Sequence, residues 1–346
     1  MSNKPNFLKQ ETLEQYKEES EKYRKRFLNK RNINISIIII FFIIFSSAIF
    51  YSFFPIFSIR YKLQASSLEN GIQNKIIGDY YQMENTNGKT LPLKNISSIS
   101  SSDINSLRND IEKELSSLSG EYGIYVKNLK TQESLDINKN RKFTAASLDK
   151  LFVAASYYTL MEDSSKSLND SLLITQQNFI NNEKGNKIKL GGEYNTKELV
   201  QCLLKQSDSN AYLTLVDEIG LDYIDNFIKN NGFNDTDFIN NDSSPEDVGN
   251  FLEKLYNRKL FNDSRSDEML SFMQNTIFED RIPYYLPSGI KVSHKIGTWD
   301  GTYNDAGIVY SPGGDYIIVV MDDGADNEQA VNFIRKLSEI IYNYFN

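Results

Sequence analysis

Residues 33–59 carry no charged side chain, and Ile35–Phe54 consists almost wholly of Ile, Phe, Ser, Ala and Tyr. About twenty helical residues span the roughly 30 Å of a bilayer's hydrocarbon core. This run therefore divides the chain before any globular fold is considered. Lys17, Lys22, Arg24, Lys25, Arg26, Lys30 and Arg31 precede it, whereas only Arg60, Lys62 and Lys75 follow closely. The positive-inside bias predicts a cytoplasmic tail over 1–32, a single transmembrane helix over 33–59 ending near Pro55, and an extracytoplasmic remainder. A cleaved signal peptide would have a shorter apolar core and a nearby small-residue site, but Gln64–Ser67 lies well beyond the run. The only cysteine is Cys202, so no lipid-modified cysteine follows the span. Glu and Lys at helical spacings over Leu13–Phe27 read as a solvated helix at the inner leaflet.

Residues 60–103 are rich in Ser, Asn and Lys and read as a spacer. Order is expected over 104–346. Leu107, Ile111, Leu115 and Leu118 repeat at helical spacing. Tyr122–Leu129 and Glu133–Ile137 read as a strand pair, and Ser147 to about Leu270 as mostly helical. Lys291–Thr298, Ala306–Ser311 and Tyr316–Asp322 read as three antiparallel strands. An amphipathic helix follows from Glu328 to Phe345. The predicted class is α+β: an antiparallel sheet built from N- and C-terminal strands, with a large helical insertion.

Charge and histidine count then exclude chemistries. Residues 1–32 hold nine Lys/Arg against five Asp/Glu, a balance of +4; with −8 overall, the remainder carries −12. An acidic exterior argues against nucleic acid as a partner. The one histidine, His294, would have to serve any Ser-His-Asp triad, Cys-His pair or histidine-based zinc site. It alternates with Lys295 along a predicted strand and reads as structural. A hydrolase of this composition would use a lysine or a carboxylate as its base, and nothing in the pattern calls for a metal or an organic cofactor.

Ser147-Leu-Asp-Lys150 follows a turn and begins a predicted helix, which puts hydroxyl and amine on one face of its first turn. Serine needs a base to take its proton, and lysine serves once desolvation or neighbouring positive charge lowers its pKa. Ser207-Asp208-Ser209-Asn210 lies between predicted helices, where a cap and a turn are the ordinary reading. Lys295-Ile-Gly297-Thr298 lies on a strand, where glycine allows a close approach.

In this order, the three segments resemble the Ser-x-x-Lys, Ser-Asp-Asn and Lys-Thr-Gly elements of penicillin-recognising enzymes. Phe143–Ala154, His294–Gly301 and Asn304–Tyr310 are similar to class A β-lactamase-like serine hydrolases, and so is Gly123–Leu129. The resemblance covers about residues 104–346. It implies a β-lactam or D-alanyl-peptide (peptidoglycan-peptide) substrate, with Ser147 acylated and Lys150 as its base. Ser207 would relay a proton to the leaving nitrogen, and Lys295 would hold that hydroxyl and attract a carboxylate. Ser209, Asn210, Gly297 and Thr298 would line the substrate site, the N–H groups of Ser147 and Thr298 forming the oxyanion hole.

Three departures stand out. Ser209 occupies the asparagine position, with Asn210 one residue later, and Ile296 replaces a hydroxyl residue. Residues 233–244 contain no glutamate to activate a deacylating water, only Asp235, Asp237 and Asp242, which read as ordinary loop acids; Glu246 falls at a helix start. Slow release of the acyl group is therefore expected. A non-catalytic relative that binds wall peptides or proteins is the competing class.

Overall fold

The computed structural model describes residues 104–164, 166–179 and 187–346. The predicted tail, span and spacer lie outside the described residues. Among the described residues, no helix is long and apolar enough to cross a membrane.

Helix α1 (Ile104–Leu115) leads into strands β1 (Glu121–Asn128) and β2 (Ser134–Ile137). After the short β3 (Phe143–Thr144), a 3₁₀ turn over Ala146–Leu148 enters α2 (Asp149–Asp163). The insertion continues with β4 (Ser171–Leu173), β5 (Glu193–Asn195), α3 (Thr196–Lys205), α4 (Ser209–Ile219) and α5 (Leu221–Asn230). It closes with β6 (Asp242–Ser243), α6 (Pro245–Tyr256) and α7 (Asp263–Phe272). Strands β7 (Lys291–Trp299), β8 (Thr302–Tyr310) and β9 (Tyr316–Asp323) precede α8 (Asn327–Phe345). The main sheet runs β2-β1-β9-β8-β7, antiparallel throughout.

Strand alternation sends side chains to two cores. Ile317, Val319 and Met321 of β9 pack under the helical insertion, while Tyr316, Ile318 and Val320 pack against α1 and α8. Leu107 and Ile111 of α1 and Phe333, Ile334, Leu337 and Ile341 of α8 complete that second layer. Helix α2 is buried from Asp149 through Tyr158, as expected of a helix enclosed on all sides.

Some boundaries differ from expectation. Ser147 lies in the 3₁₀ turn, and the α-helix begins two residues later. Residues i and i+3 eclipse in a 3₁₀ turn, so serine and lysine still meet. Strand β8 begins at Thr302 rather than Ala306, because Asp300-Gly301 closes a tight hairpin in which Trp299 pairs Thr302. Gly301 has φ +77°, a left-handed conformation that favours glycine. Polar residues at the start of β8 masked this strand in the sequence pattern. Helix α1 stops at Leu115, three residues short of expectation.

Candidate active site

Ala146 has φ 49°, unusual for a residue with a side chain, and the neighbouring structure holds it there. Asn304 Nδ2 on β8 donates to the Thr144 and Ala145 carbonyls at 2.8 and 3.1 Å. Asn241 Nδ2 donates to the Ala146 carbonyl at 3.2 Å, and its own carbonyl accepts from Ala145 N at 2.7 Å. Gly297 closes the other side: a Cβ there would stand 2.6 Å from the Ala145 carbonyl oxygen. The turn thus presents Ser147 from a fixed backbone. Lys150 is buried, and its Nζ donates to Ser147 Oγ at 2.8 Å while lying 4.9 Å over the Tyr212 ring.

A second serine–lysine pair faces this one. Lys295 Nζ donates to Ser207 Oγ at 3.0 Å and to the Ile296 carbonyl at 2.9 Å. Burial, then the charge of Lys150, pushes the Lys295 ammonium well below its ordinary range. Ser207 also has positive φ, 55°. Asp208 fixes its loop: Oδ1 caps α4 through Asn210 N and Ala211 N, and Oδ2 accepts from Lys187 N and Ile188 N.

The substrate-lining residues divide. Ser209 is half-buried beside this loop. Asn210 is fully buried and donates its amide to the Ile188 carbonyl at 3.1 Å, so it offers no surface to a substrate. Asn210, expected among the substrate-lining residues, is thus packed inside the fold in this structure. Thr298 is exposed next to Gly297, and its Oγ1 accepts from Arg281 Nη2 at 2.5 Å. Arg281, itself buried, also donates to the Asn304 carbonyl at 2.6 Å. No periodicity in the sequence marks Arg281, which arrives on an irregular segment.

His294 lies on the opposite face of β7 from Lys295. Burial opposes its charge, but Asp305 at 2.9 Å and Glu279 at 3.5 Å outweigh that cost and raise its pKa to about 9. Of the loop acids, Asp237 accepts from Asn240, while Glu246, in the first turn of α6, pairs with Lys139 at 3.0 Å. Asp149, inside the Ser-x-x-Lys segment, and Asn241 are site residues the sequence pattern missed. A charged residue at a core-facing helix position was the available signal for Asp149.

Two buried lysines, each on a serine hydroxyl, within an α+β frame define the class: an active-site-serine hydrolase fold. Residues 106–345 match Beta-lactamase2, the beta-lactamase enzyme family, and the chain belongs to that family. No curated protein matches it in a sequence search. Among solved structures it is similar to TLA-1 extended-spectrum β-lactamase (TM-score 0.66, 20% identity, covering 70% of this chain and 98% of that one). It is also similar to a PBP-A variant solved as an acyl-enzyme complex with penicillin G (TM-score 0.65, 21% identity, 70% and 96% covered). A third is a β-lactamase from Chitinophaga pinensis DSM 2588 (TM-score 0.65, 22% identity, 70% and 99% covered).

Proposed function

We propose that the chain is a membrane-anchored, extracytoplasmic serine hydrolase that opens a β-lactam or a D-alanyl-peptide amide through a Ser147 acyl-enzyme and releases the acyl group slowly. The observation that carries this reading is the pair of contacts Lys150–Ser147 and Lys295–Ser207. Ser147 Oγ attacks the carbonyl carbon as Lys150 takes its proton. The Ser207 hydroxyl, held by Lys295, protonates the departing nitrogen. The N–H groups of Ser147 and Thr298 receive the developing oxyanion. Thr298, backed by Arg281, takes the substrate carboxylate in place of the hydroxyl that Ile296 lacks. The similarity to an acylated PBP-A supports the acyl-enzyme, and the uncharged run over 33–59 supports the anchor.

Slow release follows from the 233–244 segment, which lacks glutamate and whose Asp237 is already engaged. The test is a pre-steady-state assay with penicillin G and with a peptide ending in D-alanyl-D-alanine. A stoichiometric burst followed by slow turnover is expected. Steady turnover of penicillin on the order of 10² s⁻¹ or faster, in the upper range of enzyme rates, would contradict slow deacylation.

A further inference from the structure

His294 is fully buried on the face of β7 that turns away from Lys295, so it stands clear of the two lysine–serine contacts. Its partner on β8 is Gly307, where a Cβ would lie 2.6 Å from the His294 Cβ; the glycine makes room for the histidine. Nδ1 meets the Asp305 carboxylate at 2.9 and 3.1 Å. Nε2 stands 3.5 Å from Glu279 Oε1 and 3.4 Å from Thr276 Oγ1. The ring therefore ties β8 to the irregular segment 276–282. Glu279 Oε1 in turn accepts from Thr276 N at 2.6 Å, and Asp305 Oδ2 accepts from Ile282 N at 3.0 Å, so both ends of the segment lead back to the histidine and its aspartate. Helix α8 adds two further restraints, Arg335 Nε on the Asp280 carbonyl at 2.6 Å and Ser338 Oγ on the Ile282 carbonyl at 2.8 Å. What the segment carries is Arg281. Its buried guanidinium donates to the Asn304 carbonyl, next to Asp305, and to Thr298 Oγ1 at the edge of the site.

We propose that His294 is a positioning residue: with Asp305 and Glu279 it holds segment 276–282 so that Arg281 backs Thr298, and it thereby sets how strongly the site binds the carboxylate of an acyl donor. The inference rests on the acyl-enzyme reading above, in which Thr298 and Arg281 take that carboxylate. An interaction between a guanidinium and a carboxylate is charge-assisted and directional. A small shift of the segment weakens it for an anionic donor and leaves a neutral donor of the same shape nearly untouched. The bond-making step uses the lysine–serine contacts on the other face of β7, so His294 acts on binding and not on the chemical step.

The test compares penicillin G with its methyl ester, which lacks the carboxylate charge. Ser147 adduct formation in the full-length chain at pH 7 gives a half-saturating concentration and a limiting rate for each. Wild type should favour the acid, through the half-saturating concentration. In His294→Gln that preference should fall about three- to tenfold, part of what a charge-assisted hydrogen bond supplies. The limiting rates, and the rate with a fluorophosphonate that has no carboxylate, should stay within about twofold. Glu279 is exposed, so Glu279→Gln leaves the core intact; it should move the preference the same way by a smaller factor, and it decides the matter if His294→Gln does not fold. In an Arg281→Gln background, where the preference is already weak, His294→Gln should lower it no further, because the histidine acts through the arginine. Equal losses with acid, ester and fluorophosphonate would make His294 merely structural and overturn the inference alone. So would a preference unchanged in both variants, or a further loss on top of Arg281→Gln. If wild type takes the fluorophosphonate but neither penicillin, or takes acid and ester equally well, the substrate or carboxylate reading falls and this inference falls with it.

Discussion

His294 and Lys295 are adjacent on one strand and have opposite electrostatic fates. Lys295 faces the site, where burial and Lys150 disfavour its charge; His294 faces Asp305 and Glu279, which favour the imidazolium. The raised histidine pKa has a consequence for stability. A group whose folded pKa exceeds its unfolded value of 6.5 stabilises fully below that value and loses the contribution as pH rises through about 9. The size of the shift corresponds to about 3 kcal/mol. Melting temperature should therefore fall between pH 6 and pH 9.5. Burial also lifts Asp322 to about 7, with a loss of the same sign over a lower range, so a comparison variant is needed. His294→Gln should be less stable than wild type at pH 6, with the gap closing by pH 9.5; a gap that did not change with pH would refute the charged histidine. In the site itself, Lys150→Ala should slow acylation by roughly 10²- to 10⁴-fold, the range for loss of a general base, without preventing folding. Adduct formation at the wild-type rate would remove Lys150 from that role.

At the scale of elements, the site depends on how closely β7 lies to the nucleophile turn. Gly297→Ala would drive a methyl group into the Ala145 carbonyl at 2.6 Å. It should cost about 1–3 kcal/mol by overpacking and slow acylation more than Ser209→Ala does, because it displaces the turn that presents Ser147. Chemical denaturation and adduct kinetics on the two variants check both parts. Elements with strong periodicity were legible in the sequence: β1, β2, β9 and α8 fall within a residue or two of expectation. The start of β8 was not, because Asn304 and Asp305 are polar yet buried, serving the nucleophile turn and His294 rather than a hydrophobic face. The Asp300-Gly301 turn was the clue there. Ser147, Lys150, Ser207 and Lys295 were singled out through the resemblance of three motifs taken together, since each motif alone has an ordinary structural reading, and the structure brings them into two lysine–serine contacts. Asp149, Asn241 and Arg281 were not, since their importance comes from contacts between segments distant in sequence.

At the scale of the molecule, one sheet with two apolar faces explains the order of the chain. Strands from both ends form the sheet, α1 and α8 cover one face, and the helical insertion covers the other. The site lies where the insertion meets β7: Ser147, Lys150 and Ser207 come from the insertion, and Lys295 reaches Ser207 from the strand. A hydrolase held at a membrane would work beside the polymer or drug it meets there. Deleting residues 33–59 should release the protein from the membrane fraction and leave Ser147 reactivity intact; persistent membrane association would contradict the proposed anchor. The most direct test of the central claim is the intact mass of the full-length protein after incubation with penicillin G, beside Ser147→Ala. The account predicts a long-lived increase equal to the mass of the drug, present in wild type and absent in the variant. An unmodified wild-type mass with the drug left intact would contradict it.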